Sequence, residues 1–205
     1  MTGPRERTRM KTNVRARRLE ARVSPIDHVR GSPLAKVTLI GYGDFANPDC
    51  RHTYLTVKKI QKKMGSRLRY VFRSFPEPLK FANSEEAVEA AECASSQGKF
   101  WEMHDLLFEN QCASDESHLA RCAQEVGLDV PRFQREMKGH LHLAKVRADR
   151  KAAVRRGVVQ APTFFINSLR HESSFGLTTL LSAVQAAAGA HDQESTHPNA
   201  VSARG

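Results

Sequence analysis

Lys36-Val37-Thr38-Leu39-Ile40-Gly41-Tyr42-Gly43-Asp44-Phe45, followed by Ala46-Asn47-Pro48-Asp49-Cys50, decides the fold. Val37 to Ile40 is a short apolar run suited to a strand buried on both faces, with strand character from Lys36 to Phe45. Asn is among the best N-cap residues, Pro suits the first helical position, and Asp suits the first turn. The chain therefore turns from strand to helix at Asn47. From Pro48 to Met64, Tyr54, Val57, Ile60 and Met64 recur at helical spacing, while Lys58, Lys59, Lys62 and Lys63 stay polar. Gly65 ends the helix as its C′ residue. From Arg67 to Phe75, Leu68, Tyr70 and Phe72 alternate with Arg69, Val71 and Arg73, which reads as a second strand. Strand, helix and strand with short joints make a βαβ unit, with parallel strands and a right-handed crossover.

The middle of the chain reads as helices. Ala87, Val88, Ala91 and Ala94 form a stripe after Asn83-Ser84, which can cap. Phe100, Met103 and Leu107 mark a second helix ending near Gln111, with Trp101 expected in the core. Leu119, Ala123 and Val126 mark a third, stopped by Gly127. Pro131 starts a short one to Lys138, and a basic one runs from Leu141 to Arg156. Strand character returns at Thr163-Phe164-Phe165-Ile166. Asn167-Ser168 suits a two-residue turn, Leu169 to His171 a return strand, and Leu177 to Ala188 a last helix.

The formal net charge is +10, and residues 1–22 supply +6 of it from eight basic and two acidic side chains. Residues 1–26 read as a solvated basic tail, or as sequence upstream of a start at Met10. No aromatic residue interleaves the arginines to stack on bases, so nucleic acid is not expected as a partner. No apolar h-region follows the charges, and the arm has no clear apolar face for a presequence. No run of 18 apolar residues exists, so no membrane span is expected. Cys50, Cys93, Cys112 and Cys122 show no CxxC spacing, which favours free thiols in a reducing, cytoplasmic setting.

Four stretches together resemble the DsbA-like branch of the thioredoxin superfamily: Val37 to Phe45, Tyr70-Val71-Phe72-Arg73-Ser74-Phe75-Pro76, Gln97 to Phe108 (QGKFWEMHDLLF), and Ala161-Pro162-Thr163-Phe164-Phe165-Ile166-Asn167. The resemblance spans Asp27 to Ala188. It implies an α/β thioredoxin-like fold with a helical insertion at about 82–157, and 189–205 is expected as a disordered tail. The family implies thiol–disulfide exchange: one cysteine at the helix N-terminus attacks a disulfide, and a second, three residues on, resolves it. Its partners are protein or peptide thiols and disulfides, or extended peptides. Cys50 matches the resolving cysteine and Pro162 the cis-proline that presents backbone to substrate. Asn47 stands where the nucleophile would be.

Asn47-Pro48-Asp49-Cys50 is thus a degenerate redox motif and, equally, a well-made helix cap. Asn47 cannot form a thiolate. Cys50 is the one catalytic candidate at the motif, but its place on the apolar face predicts a mostly buried thiol, whose pKa burial raises and the helix N-terminus lowers. Cys93, Cys112 and Cys122 are expected as ordinary buried residues. Ala161 and Pro162 are expected to bind substrate by pairing backbone with an extended peptide. Asp44 is either a buried acid that shuttles protons or a turn residue. Cys112, His118 and Cys122 make a poor zinc set and His140-x-His142 reads as surface, so no metal is expected. Three functions follow: single-thiol redox through Cys50, a non-catalytic peptide-binding or chaperone-like module, or a glutathione-linked transferase or isomerase. The last resembles the kappa-type transferase, which uses a non-cysteine cap residue. No cofactor is expected beyond glutathione, which could partner Cys50 in the first case or serve the transferase in the third.

Overall fold

The computed structural model describes residues 23–110 and 115–196, with side chains to residue 190. The expectations for the basic arm and for Cys112 lie outside the described residues. The elements run β1 (His28–Arg30), β2 (Val37–Gly43), α1 (Pro48–Met64), β3 (Leu68–Ser74), α2 (Ser84–Ser95), α3 (Phe100–Asn110), α4 (Glu116–Glu125), α5 (Val130–Lys138), α6 (Leu143–Arg155), β4 (Thr163–Ile166), β5 (Leu169–Arg170) and α7 (Leu177–Thr196). The sheet order is β1-β3-β2-β4-β5. β2 and β3 are parallel, with Ile40 opposite Val71, and β4 lies antiparallel on the other side of β2, with Ile40 opposite Phe165. This is the thioredoxin-like sheet with a helical insertion, α2 to α6, between its two halves. The β4–β5 turn places Asn167 and Ser168 at φ 46° and 73°, the two positive values that a tight hairpin turn requires.

Two faces of the sheet are built differently. Tyr70 and Phe72 project into an aromatic cluster with Phe45, Tyr54, Trp101, His104 and Phe108; Phe72 and His104 have ring centroids 4.6 Å apart. Gly41 and Gly43 on β2 leave room for those rings. On the other face Arg73 is not solvated as alternation alone suggests. It donates to both carboxylate oxygens of Asp27 at 2.8 Å and to Tyr42 Oη at 2.9 Å.

Five features depart from the sequence reading. Strand β1 was not anticipated, because three half-buried residues carry no periodicity. It is held from outside: Trp101 Nε1 donates to Val29 O, Arg30 pairs with Asp105 at 3.1 Å and lies over the Trp101 ring, and His28 stacks on Phe100. Trp101 is therefore a half-buried clamp. Asn83 does not cap α2; it is left-handed at φ 59° and makes no side-chain cap bond. Helix α2 is buried nearly all round, with Glu89 and Glu92 inside, so the alanine stripe understates it. Finally, α7 continues past Ala188 to Thr196, into the stretch expected as a tail.

A methyl group on Gly43 would lie 2.7 Å from Phe72 Cε2. Gly43→Ala is expected to destabilise the protein by about 1–3 kcal/mol through overpacking, read from urea unfolding. An unchanged midpoint would show that the ring is free to move.

Candidate functional site

Helix α1 begins where the sequence places it, at the end of β2. Asn47 is its N-cap: Oδ1 accepts from Asp49 N at 2.8 Å. Its other end does something that capping does not need. Nδ2 donates to the carbonyl of Ala161 at 3.0 Å, and the Ala161–Pro162 peptide is cis. Tertiary structure thus brings Asn47, at the motif, against Ala161 and Pro162, 114 residues later. Asn47 is 4% exposed.

The Ala161 N–H is also taken. It donates to Glu77 Oε2 at 3.2 Å. Glu77 lies just after β3, is buried, and pairs through Oε1 with Lys80 at 2.6 Å. Both backbone groups of Ala161 are therefore occupied from within. Glu77 was missed by the sequence reading. The available signal was a charged residue locked between Pro76 and Pro78, beyond the carboxyl end of a strand in an α/β sheet, where sites gather.

Asp44 is a buried acid, not a surface turn residue. It accepts from Ala46 N at 3.0 Å, Glu77 N at 2.9 Å and Ser84 Oγ at 2.6 Å. Ser84 thereby uses the hydroxyl that seemed free to cap α2. Burial still lifts the Asp44 carboxyl above the ordinary range, against those hydrogen bonds.

Cys50 lies in the first turn of α1 and is 2% exposed. Its sulfur accepts from Asp44 N at 3.4 Å. Burial first, then the nearby carboxyls of Asp44, Glu77 and Asp49, push its thiol far above the usual range. The helix N-terminus, which lowers a cap-position thiol, does not prevail here. What the site offers chemically is a covered neutral thiol, a buried acid and an amide, joined by hydrogen bonds. Cys93 and Cys122 are buried in the helical insertion, as expected; His118 and Cys122 belong to no metal-type cluster among the described residues. His142 departs from the surface reading: it ends a non-helical link, with its side chain 19% exposed and facing Glu136.

The direction of the Asp44 shift fixes a pH dependence. A carboxyl raised in the fold contributes stability that is fully present below its unfolded pKa and lost as pH rises through the folded value. Asp44→Asn is expected to flatten the stability profile from about pH 4 upward, measured by urea unfolding at a series of pH values. A slope identical to the unaltered protein would show that Asp44 does not titrate there.

The family model described as Thioredoxin matches residues 24–186. A thioredoxin-like oxidoreductase from Silicibacter pomeroyi DSS-3 superposes with TM-score 0.67 at 25% identity, covering 85% of this chain and 95% of that one. Alpha-DsbA1 of Wolbachia pipientis superposes with TM-score 0.73 at 20% identity, covering 84% and 96%. In sequence, a protein of Mycobacterium sp. (strain KMS) named Na(+)/H(+) antiporter NhaA 1 is 35% identical over 162 residues, which are 78% of this chain and 26% of that protein. The chain spans about a quarter of the length of the curated relatives it matches. With the βαβ start, the helical insertion and the cis-proline opposite α1, this chain belongs to the thioredoxin family and has the DsbA-like fold.

Proposed function

We propose that this chain is a DsbA-like member of the thiol–disulfide oxidoreductase family that has kept the scaffold and given up two-cysteine exchange, and that it works as a non-catalytic module for extended peptide. The observation that carries this reading is Asn47, which stands at the nucleophile position and spends both ends of its amide on structure. The single-thiol route through Cys50 is disfavoured by burial and by the raised thiol pKa. The antiporter names of the longer relatives lend this stretch no transport function. Among the described residues, no helix is long and apolar enough to cross a membrane.

Insulin reduction tests the chemistry. The unaltered chain is expected to match the uncatalysed rate, and Cys50→Ser to change nothing. Asn47→Cys is expected to introduce activity, because Cys50 and the cis-proline stand in place; no activity would show that the groove has diverged as well. Activity in the unaltered chain that disappears with Cys50→Ser would establish the single-thiol reading instead. Isothermal titration with glutathione separates off the transferase: saturable heat at millimolar ligand would favour it.

Peptide binding has its own prediction. For a peptide strand to pair with Ala161, the Asn47 amide must leave the carbonyl and the Glu77 carboxylate must leave the N–H. Asn47→Ser keeps a capping oxygen but is too short to reach Ala161. It is expected to tighten binding of an extended, cysteine-free peptide by about 3–10-fold in fluorescence anisotropy, the worth of one competing hydrogen bond. No binding by either protein would remove the peptide-module reading.

A further inference from the structure

The helical insertion holds a second constellation, remote in sequence from the motif. Cys93 on α2, Glu136 on α5 and His142 at the start of α6 place Sγ, a carboxylate oxygen and a ring nitrogen within 4.8 Å of one another. We propose that these three side chains form a binding site for a divalent metal ion of the zinc class.

The donor set is the first argument. Thiolate, imidazole and carboxylate are the ligands that Zn²⁺ and its neighbours Co²⁺ and Ni²⁺ take, and three protein ligands leave a fourth position for water. The geometry is the second. A tetrahedral ion with bonds of about 2.0–2.3 Å sets its ligand atoms roughly 3.3–3.8 Å apart. His142 Nε2 and Glu136 Oε2 already stand 3.2 Å apart. The third is the shell around them. Arg132 Nε donates to Glu136 Oε1 at 2.7 Å and Ser96 Oγ to Oε2 at 3.1 Å, which fixes the carboxylate. Glu89, fully buried, accepts from the backbone N–H of His142 at 3.1 Å and so fixes the residue that carries the imidazole. Such outer partners orient ligands in metal sites.

The three donors come from separate elements, and no sequence spacing announces them. Cys93 is fully buried, whereas the side chains of Glu136 and His142 are 10% and 19% exposed, so an ion has an approach from one side. Glu136 already faces both other donors: its Oε2 lies 3.2 Å from His142 Nε2, and its carboxylate is hydrogen-bonded with Cys93. Binding sends the Cys93 thiol proton to solvent and needs His142 neutral at Nε2.

Titration of the full, reduced chain with Co²⁺ reads each element of this assignment. An ultraviolet thiolate-to-cobalt charge-transfer band and strong visible bands of a four-coordinate ion are expected. Cys93→Ser is expected to remove the charge-transfer band, while Cys50→Ser, Cys112→Ser and Cys122→Ser keep it. His142→Ala, at a partly exposed position, is expected to weaken Co²⁺ at least ~100-fold, more than loss of an outer partner costs. Addition of Zn²⁺ should bleach the bands and raise the melting temperature of the unaltered chain but not of His142→Ala. Circular dichroism checks that each variant is folded. No charge-transfer band in the unaltered chain, a band that survives Cys93→Ser, or affinity unchanged by His142→Ala would each overturn the site.

Discussion

A carboxyl taken out of water without a cation beside it is stable only when donors surround it. Asp44 meets that condition with the N–H groups of Ala46 and Glu77 and the hydroxyl of Ser84. Those donors belong to the turn before α1, the segment after β3 and the start of α2. One side chain thereby fixes three joints of the fold. Its own backbone N–H goes to the Cys50 sulfur, which adds the first turn of α1. From Glu77 the connection passes to Ala161 N, from Ala161 O to Asn47, and back to the turn that Asp44 anchors. The ring closes around the place where the family does its chemistry.

That ring makes a well-ordered site with no thiol at position 47. A cysteine at position 47 would have offered a sulfur to the helix N-terminus. Asn47 offers an oxygen to Asp49 N and, in addition, an amide to the carbonyl before Pro162. The second bond has no counterpart in capping; it depends on the cis-proline segment lying opposite. The same side chain that makes the cap occupies the carbonyl of Ala161, while Glu77 takes its N–H. A firm cap and an open Ala161 carbonyl therefore compete at this position.

The helical insertion is held by the same rule of paired burial. Glu92 inside α2 meets His28 of β1 and Lys145 of α6, which ties the insertion to the sheet edge. Glu89, one turn earlier, meets His140 and the N–H of His142. These partners draw the link between α5 and α6 onto α2 and bring His142 to Glu136 and Cys93. The Cys-Glu-His cluster is thus a product of how two buried glutamates are satisfied.

Much of the fold was legible in the chain because local rules agree there. Pro48–Met64 is bounded by a capping Asn, a first-turn Pro and a terminal Gly, and the structure keeps those bounds. Val37 to Ile40 reads as a buried strand and is one, and the two-residue Asn167-Ser168 turn lies where the sequence reading puts it. The sequence by itself also determined that position 47 carries no thiol. Strand β1, the interior setting of α2 and the partners of Trp101 were not legible, since each depends on contacts made across tens of residues. Nor was the alliance of Asn47, Ala161, Glu77 and Asp44. Hydrogen bonds between segments 33 to 114 residues apart leave no period or spacing in a sequence. Only the packed sheet decides which buried donor finds which acceptor, because only there does the cost of leaving either one unpaired apply.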